Sequence, residues 1–300
     1  MPKLNVQQNN QNVIQAFKNA LAIGNLKGII ASDGSHNFST AGSNRNLLDN
    51  PWFTVRQRGD GPFSGANTEA VDRWRTTSNS TMTGTTDGIT LTTTVRTWGM
   101  QQRVAKDFLV VGKTYTISAM EQDGTITSAT FTWTGSGMSK YVTGANVGFE
   151  ISASNANYNQ IYFTTNYVGS VYLRAVKLEL GSISTLANDA PPNYAEELEK
   201  CKYYCRVIEG NTYTVIGQAV ASTSVRFPMQ FAMRATPSIS VIGSIQVNGN
   251  GGLLTVSSIT VNGWGATCVE LNCGVSGATS HTPYLLLPAS GAKIILSADL

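Results

Sequence analysis

A protein that holds a sugar needs aromatic planes beside amides, carboxylates or guanidinium groups. The C–H face of the sugar ring packs on the aromatic surface, and its hydroxyls find donors and acceptors at the edge. The sequence offers this combination twice. NLLDNPWFTVRQRG, residues 46–59, places Trp52 and Phe53 behind a proline and follows them with Arg56, while VRTWGMQQR, residues 95–103, places Trp98 beside Gln101, Gln102 and Arg103. Trp98 is bordered by Gly99 and polar neighbours, which makes it the better exposed candidate. Trp74 in VDRWR follows a loop and opens a strand, so core packing is its expected fate. Trp52 and Phe53 are adjacent, and adjacent strand residues face opposite sides; one of the two is expected in the core and the other outside.

Other chemistries are poorly served. Glycoside hydrolysis uses paired carboxylates flanking the scissile bond, yet Glu69, Asp72, Asp107, Glu121, Asp123 and Glu150 stand singly in turns or on strands without a recognisable motif. The two histidines, His36 and His281, lie in polar loops, and no G-x-S-x-G accompanies them. NGNGG, residues 248–252, lacks the Lys-Ser/Thr ending of a phosphate loop and reads as a turn. Cys201 with Cys205 and Cys268 with Cys273 have spacings that suggest a four-thiolate zinc site, but a helix and an apolar strand make small buried hydrophobes the expected reading.

Composition narrows the partners. Only 13% of residues are charged, Lys plus Arg exceed Asp plus Glu by 21 to 18, and the basic residues are scattered singly. A nucleic-acid or anionic-membrane partner is therefore disfavoured. No apolar run approaches the roughly 20 residues needed to span a bilayer, and the first residues lack a signal-peptide core, so membrane insertion is not expected and folding in a cytoplasm is.

The elements that must position these residues are mostly strands. Val13, Ile14, Phe17, Ala20 and Leu21 fall at helical spacing and predict one short amphipathic helix, followed by a Ser, Gly and Asn-rich linker. From residue 47 to about 180 the signals are short strands and turns. Tyr115, Ile117 and Ala119 alternate with polar residues, Asp123-Gly124 supplies a turn, and Ala129, Phe131 and Trp133 continue on one face, which predicts a β-hairpin. In VKLELG, Val176, Leu178 and Leu180 are expected on one side and Lys177 and Glu179 on the other. Pro191-Pro192 then introduces a helix, acidic in its first turn and basic towards its end, expected to reach about residue 207. SVRFPMQFAMR has a clean period of two, with Pro228 placing it at an edge or bulge. The fold class is all-β: two antiparallel, jelly-roll-like β-sandwich domains at 46–182 and 209–300, a helical connector at 183–208 and an N-terminal attachment and oligomerisation segment at 1–45.

Four phrases in order, NLLDNPWFTVRQRG, VDRWR, GKTYTISA and VKLELG, resemble the carbohydrate-binding-module-like sandwich of bacteriophage tail-fibre and minor tail proteins. APPNYAEELEKCKYYCRVI resembles the connector that follows that module, and RFPMQFAMRATPSISV with the terminal ILSADL resembles the C-terminal β tip domain of such fibres. The resemblance covers residues 46–300 and none of its phrases is a catalytic signature. It implies a structural virion protein, assembled in the host cytoplasm, homotrimeric and joined to other tail or baseplate proteins through the N-terminal segment. It also implies adhesion to host surface glycan without bond cleavage, with a purely structural spacer or decoration protein, or a polysaccharide depolymerase, as alternatives. Related sandwiches carry a structural calcium near their first and last strands, which points to Asp49, Asn50 and Glu179 as oxygen ligands. In the tip domain, Tyr213, Trp264, His281 and Tyr284 are the candidate contacts, with strand-face or trimer-interface packing as the alternative.

Overall fold

The computed structural model describes residues 30–32, 38–40, 43–96, 98–166, 168–210, 215–250, 252–265 and 267–299. The helix expected over 13–21, His36 and Tyr213 lie outside the described residues. A short antiparallel hairpin, β1 (Ile30–Ser32) with β2 (Phe38–Thr40), falls within the segment read as a linker.

The first unit contains β3 (Phe63–Ser64), β4 (Arg75–Thr76), β5 (Ser80–Thr85), β6 (Gly88–Thr93), β7 (Trp98–Ala105) and β8 (Thr114–Glu121). It continues with β9 (Ile126–Thr132), β10 (Met138–Tyr141), β11 (Val147–Ser152), β12 (Tyr158–Thr165) and β13 (Gly169–Leu180). These pair in two antiparallel sheets, ordered β10-β11-β12-β7-β4 and β3-β5-β6-β13-β8-β9. Met100, Phe149, Ile161 and Phe163 from the first sheet pack on Met82, Leu91, Ile117 and Leu178 from the second in one core. Burial of such alternating apolar side chains is what holds the sheets together. The β8–β9 hairpin is as the sequence predicts, with Gly124 at φ +86° where a side chain would be strained.

Helix α1 (Tyr194–Lys202) connects the units. The Asn193 side chain accepts from the backbone N–H of Ala195 at 2.9 Å, Glu196 and Glu197 occupy the first turn, and Lys200 and Lys202 the last. Capping and dipole complementarity explain why the helix starts there. It ends sooner than expected, because the next residues form β14 (Cys205–Glu209), which pairs in register from Cys205 opposite Ser297 to Glu209 opposite Lys293. Its backbone partners lie in the last strand of the chain, a long-range pairing that no local helical signal could reveal.

The second unit adds β15 (Val215–Ala221), β16 (Ser224–Met229), β17 (Ser238–Ile242), β18 (Ile245–Gly249) and β19 (Gly252–Thr255). β20 (Ser258–Trp264), β21 (Val269–Gly274), β22 (Pro283–Pro288) and β23 (Lys293–Ser297) complete it. A sheet β14-β23-β17 and a sheet β19-β18-β22-β15-β16-β21-β20 enclose a core that includes Val225, Phe227, Met229, Leu271 and Leu286. The alternation expected across SVRFPMQFAMR is observed as far as Met229, where the strand ends, and β16 is an interior strand rather than an edge. Pro228 is tolerated because pairing with β15 ends at Arg226, so its missing N–H interrupts no ladder bond on that side.

Two expectations for the first unit need correction. Residues 51–56 are turn and irregular chain, and both Trp52 and Phe53 are buried. The chain reverses with Asn50 at φ +47° and Phe53 at φ +56°, so the period of two does not apply. Phe53 enters the main core, and Trp52 a separate cluster with Met120, Ala175 and Leu186. Lys177 and Glu179 do lie opposite Val176 and Leu178, yet both are fully buried. The Lys177 ammonium lies 2.8 Å from Asp189 and 3.7 Å from Glu179, and it also donates to Thr185 Oγ1 at 2.8 Å, so the segment after β13 covers that face through an ionic cluster.

Candidate functional site

The outer face of the β10-β11-β12-β7-β4 sheet gathers most of the chemistry. Along β12 the sequence YNQIYFTT sends Ile161 and Phe163 into the core, which directs Tyr158, Gln160, Tyr162 and Thr164 to the outer face, where Tyr162 and Thr164 are themselves buried. Met100 and Val104 of β7 face the core likewise. Strict alternation would place Trp98 beside Met100, pointing inward. The ladder instead shifts by one residue: Phe163 pairs with Met100 and Thr164 with Trp98. Gly99 is the extra residue, and a Cβ there would lie 2.4 Å from a Leu91 methyl. Such a bulge re-aims the preceding side chain, and Trp98 emerges on the outer face, 44% exposed.

Its position is fixed on two sides. The indole stacks on Tyr162, with centroids 5.0 Å apart and planes at 27°, and its Nε1–H donates to Glu150 Oε2 at 2.7 Å. Burial, and then the Glu150 charge, hold the Tyr162 phenol above its ordinary pKa, so it stays a neutral donor and acceptor. Across the sheet Tyr141, 54% exposed, lies over Gly148, where a Cβ would come within 2.8 Å of its ring. The Arg96 guanidinium stands 5.6 Å from the Tyr141 ring centroid. Trp98, Tyr141, Arg96, Glu150, Thr164 and Thr165 line a shallow depression of about 460 Å³.

Further along the same face the polar groups are tied to one another. Gln160 Nε2 donates to Gln101 Oε1 at 2.6 Å, Gln101 Nε2 to Asn67 Oδ1 at 2.7 Å, and Arg103 to the same Asn67 oxygen at 3.0 Å. The Arg103 guanidinium also covers the Tyr158 ring at 4.7 Å. Gln101, only 2% exposed, therefore organises the face rather than offering a free amide, whereas Arg103 remains part-exposed at its edge. Gln102 points the other way and clamps Asp49, accepting from its N–H at 2.9 Å and donating to its carbonyl at 2.8 Å.

The remaining candidates are not brought to this face. Arg56 donates to Thr85 O at 2.7 Å and pairs with Asp60 at 3.1 Å, beside the β5–β6 turn of the other sheet. Trp74 is core, as expected, and its Nε1–H donates to Asn50 O at 3.0 Å. Tyr284, a candidate contact, is 1% exposed, because the alternation of β22 directs it into the second core. Its hydroxyl accepts from Thr279 N–H at 2.9 Å. Trp264 is 44% exposed on the outermost strand of the second unit, its Nε1–H donating to Met233 O at 3.3 Å. His281 is exposed in a turn, with its Nδ1 2.8 Å from Ser280 Oγ.

The oxygens proposed for calcium are engaged separately. Asp49 accepts from Arg73 Nε at 3.0 Å. Asn50 Oδ1 accepts from Val55 N–H at 3.1 Å while its amide donates to Val55 O and Asp72 O. Glu179 accepts from Thr185 N–H at 2.7 Å and from the Thr185 hydroxyl. Among the described residues no three His, Cys, Asp or Glu side chains converge as a metal site. The four cysteines are unpaired. Cys201, Cys205 and Cys273 are buried, and desolvation pushes their thiols up, Cys273 to about 12.

A second polar assembly lies where the two units meet. Arg73 pairs with Asp49 at 3.0 Å and Asp299 at 2.6 Å, donates to Arg103 O at 3.0 Å, and covers the Tyr204 ring at 3.6 Å. Arg58 contacts Glu69, and lies 3.7 Å from both Asp72 and Asp299. Ser297 donates to Glu69 at 2.6 Å, and Gln57 bridges Asp72 and Cys205 O. Burial lowers the Arg73 pKa and the charges of Asp299 and Asp49 more than restore it, whereas for Asp72 burial wins over Arg58 and holds the carboxyl above its ordinary range.

No protein-family model and no curated protein matches the chain. Among solved structures it is similar to the N-terminal CBM22-1-CBM22-2 tandem domain from Paenibacillus barcinonensis Xyn10C, at 11% identity and a TM-score of 0.25, over 87% of this chain and 98% of that one. At that level the likeness carries no argument about ligand or site. The fold and the face described above define the class: an all-β protein of two sheet-on-sheet units, one of which displays an aromatic and polar sheet surface.

Proposed function

We propose that the chain is a non-catalytic, carbohydrate-binding adhesin and that the outer face of the five-stranded sheet is its sugar-binding surface. The observation that carries this reading is Trp98, displayed by a bulge, held against Tyr162 and tied to Glu150 beside an open depression. A sugar ring laid on the exposed indole meets Tyr141 and Arg96 on one side and the Glu150 carboxylate on the other, the mixture of apolar plane and directional polar groups that such a ligand needs. Nothing in this arrangement requires a bond to break. Glu69 and Asp72, two of the carboxylates considered for hydrolysis, are engaged with arginines at the junction, and Glu150 is engaged with Trp98.

The biological setting we propose is a bacteriophage tail fibre, with the chain as a homotrimeric structural virion protein that contacts host surface glycan. Support for that setting comes from the shared order of the four sequence phrases and of the connector and terminal phrases. Linked copies would raise weak single-site binding through effective concentration. Binding of the full-length chain to an array of bacterial surface glycans, compared with Trp98→Ala, tests the adhesive reading. Release of reducing ends from a bound polysaccharide would replace it with a depolymerase.

A further inference from the structure

The stretch 46–59 does not reach the sheet face, but it lines another opening. A cleft of about 450 Å³ lies where the start of the first unit meets the connector. Its lining includes Arg45, Asp49 and Phe108 together with Lys200, Tyr204 and Arg234. Its volume is that of a small-molecule site.

The charges that line it do not cancel. Arg73 is matched by Asp49 and Asp299, Lys200 by Glu197 at 3.0 Å, and Asp189 by Lys177 at 2.8 Å. Among the described residues, neither Arg45 nor Arg234 has a carboxylate within ion-pair distance. The side-chain bond described for Arg234 runs from Nε to Ala298 O at 3.0 Å, which leaves the terminal nitrogens of its fork to other acceptors. Asp49 meets Arg73 through Oδ2 and keeps 31% of its side chain exposed, so a second carboxylate oxygen is available to a hydroxyl donor. Two guanidinium groups without a carboxylate partner among the described residues, an acceptor and an apolar side chain share one opening.

We propose that this cleft is a second saccharide site, distinct from the sheet face and selective for a sugar that bears a carboxylate. Arg45 and Arg234 take the carboxylate, a geometry in which planar guanidinium groups excel. Asp49 accepts a ring hydroxyl, and the half-buried Phe108 supplies the apolar contact. Because the walls come from both units, the site exists only when they are docked.

The test is ligand-observed NMR on the full-length protein titrated separately with glucuronate, glucose and inorganic phosphate. Glucuronate is expected to bind at least about tenfold more tightly than glucose or phosphate, a difference that corresponds to one charge-assisted contact. Arg45→Glu, at an exposed position, is expected to weaken glucuronate at least about tenfold with an unchanged melting temperature, and Trp98→Ala to leave glucuronate binding intact. Absence of glucuronate binding, phosphate binding equal to glucuronate, or insensitivity to Arg45→Glu overturns the proposal. Loss of glucuronate binding in Trp98→Ala overturns it too, by moving the acidic sugar to the sheet face; loss of neutral glycans in that variant alone leaves the cleft standing and tests the adhesive reading separately.

Discussion

The junction between the units and the outer face of the five-stranded sheet are built from the same kinds of residue: arginine, glutamine, carboxylates, tyrosine and tryptophan. They differ in how much of that capacity the protein uses itself. At the junction Arg73 is 3% exposed in its side chain and meets two carboxylates, a carbonyl and an aromatic ring. On the sheet face Trp98 spends one ring face on Tyr162 and its N–H on Glu150 while 44% of its surface stays open. Saturated polar groups hold a structure together; half-used ones, held in place by saturated neighbours such as Gln101, are available to a ligand. Residue type does not separate the two cases, and the state of the hydrogen-bond partners does.

If this division is right, substitutions at the junction act on stability and those on the face act on binding. The largest effect is expected from Arg73→Ala, which takes the nearest cation from the buried Asp299 carboxylate and leaves it only Arg58 at 3.7 Å; denaturant unfolding should show a loss of about 3–5 kcal/mol. Gly99→Ala comes next. The added methyl group collides with Leu91 in the core, so a loss of about 1–3 kcal/mol is expected from overpacking, together with weakened glycan binding as Trp98 is re-aimed. A variant that keeps full binding would show that the bulge does not set the indole. Trp98→Ala should cost only about 1 kcal/mol of stability, the worth of one aromatic pair. The smallest effect concerns the thiols: native protein at mildly alkaline pH should resist alkylation at Cys201, Cys205 and Cys273, whose pKa values burial has raised. Mass mapping after alkylation checks this, and rapid labelling of Cys201 would show that the junction opens.

The sequence was informative wherever local periodicity and final burial agree. The β8–β9 hairpin, the charge order of α1 and the alternation in β16 follow from nearest neighbours alone. It misled where backbone conformation departs from regularity for a long-range reason. Asn50 holds Val55 and Asp72 in place and turns the chain so that Trp52 and Phe53 enter two different cores, a result that alternation could not yield. Lys177 and Glu179 were placed on the right side of β13, but the segment that buries them follows the strand directly and carries no periodic signal that would announce its return over that face. Trp98, Gln101 and Arg103 share the outer face of the sheet, but only Trp98 lines the depression, and Gln102, read with them, points the other way to Asp49. Tyr158 and Tyr162 were missed although YNQIYFTT carries a period-two signal, and Tyr141 was missed because its partner position, Gly148, becomes meaningful only once the strands are paired.

The central claim is that the sheet face around Trp98 binds carbohydrate and that the junction holds the shape on which it depends. The most direct measurement compares the full-length protein with Trp98→Ala on a bacterial surface-glycan array, with thermal unfolding recorded in parallel. We expect specific glycan binding by the native chain and a loss of about tenfold or more in the variant, at least about 1.4 kcal/mol, with little change in melting temperature. Binding that is absent from the native chain, or identical in the two proteins, contradicts the account.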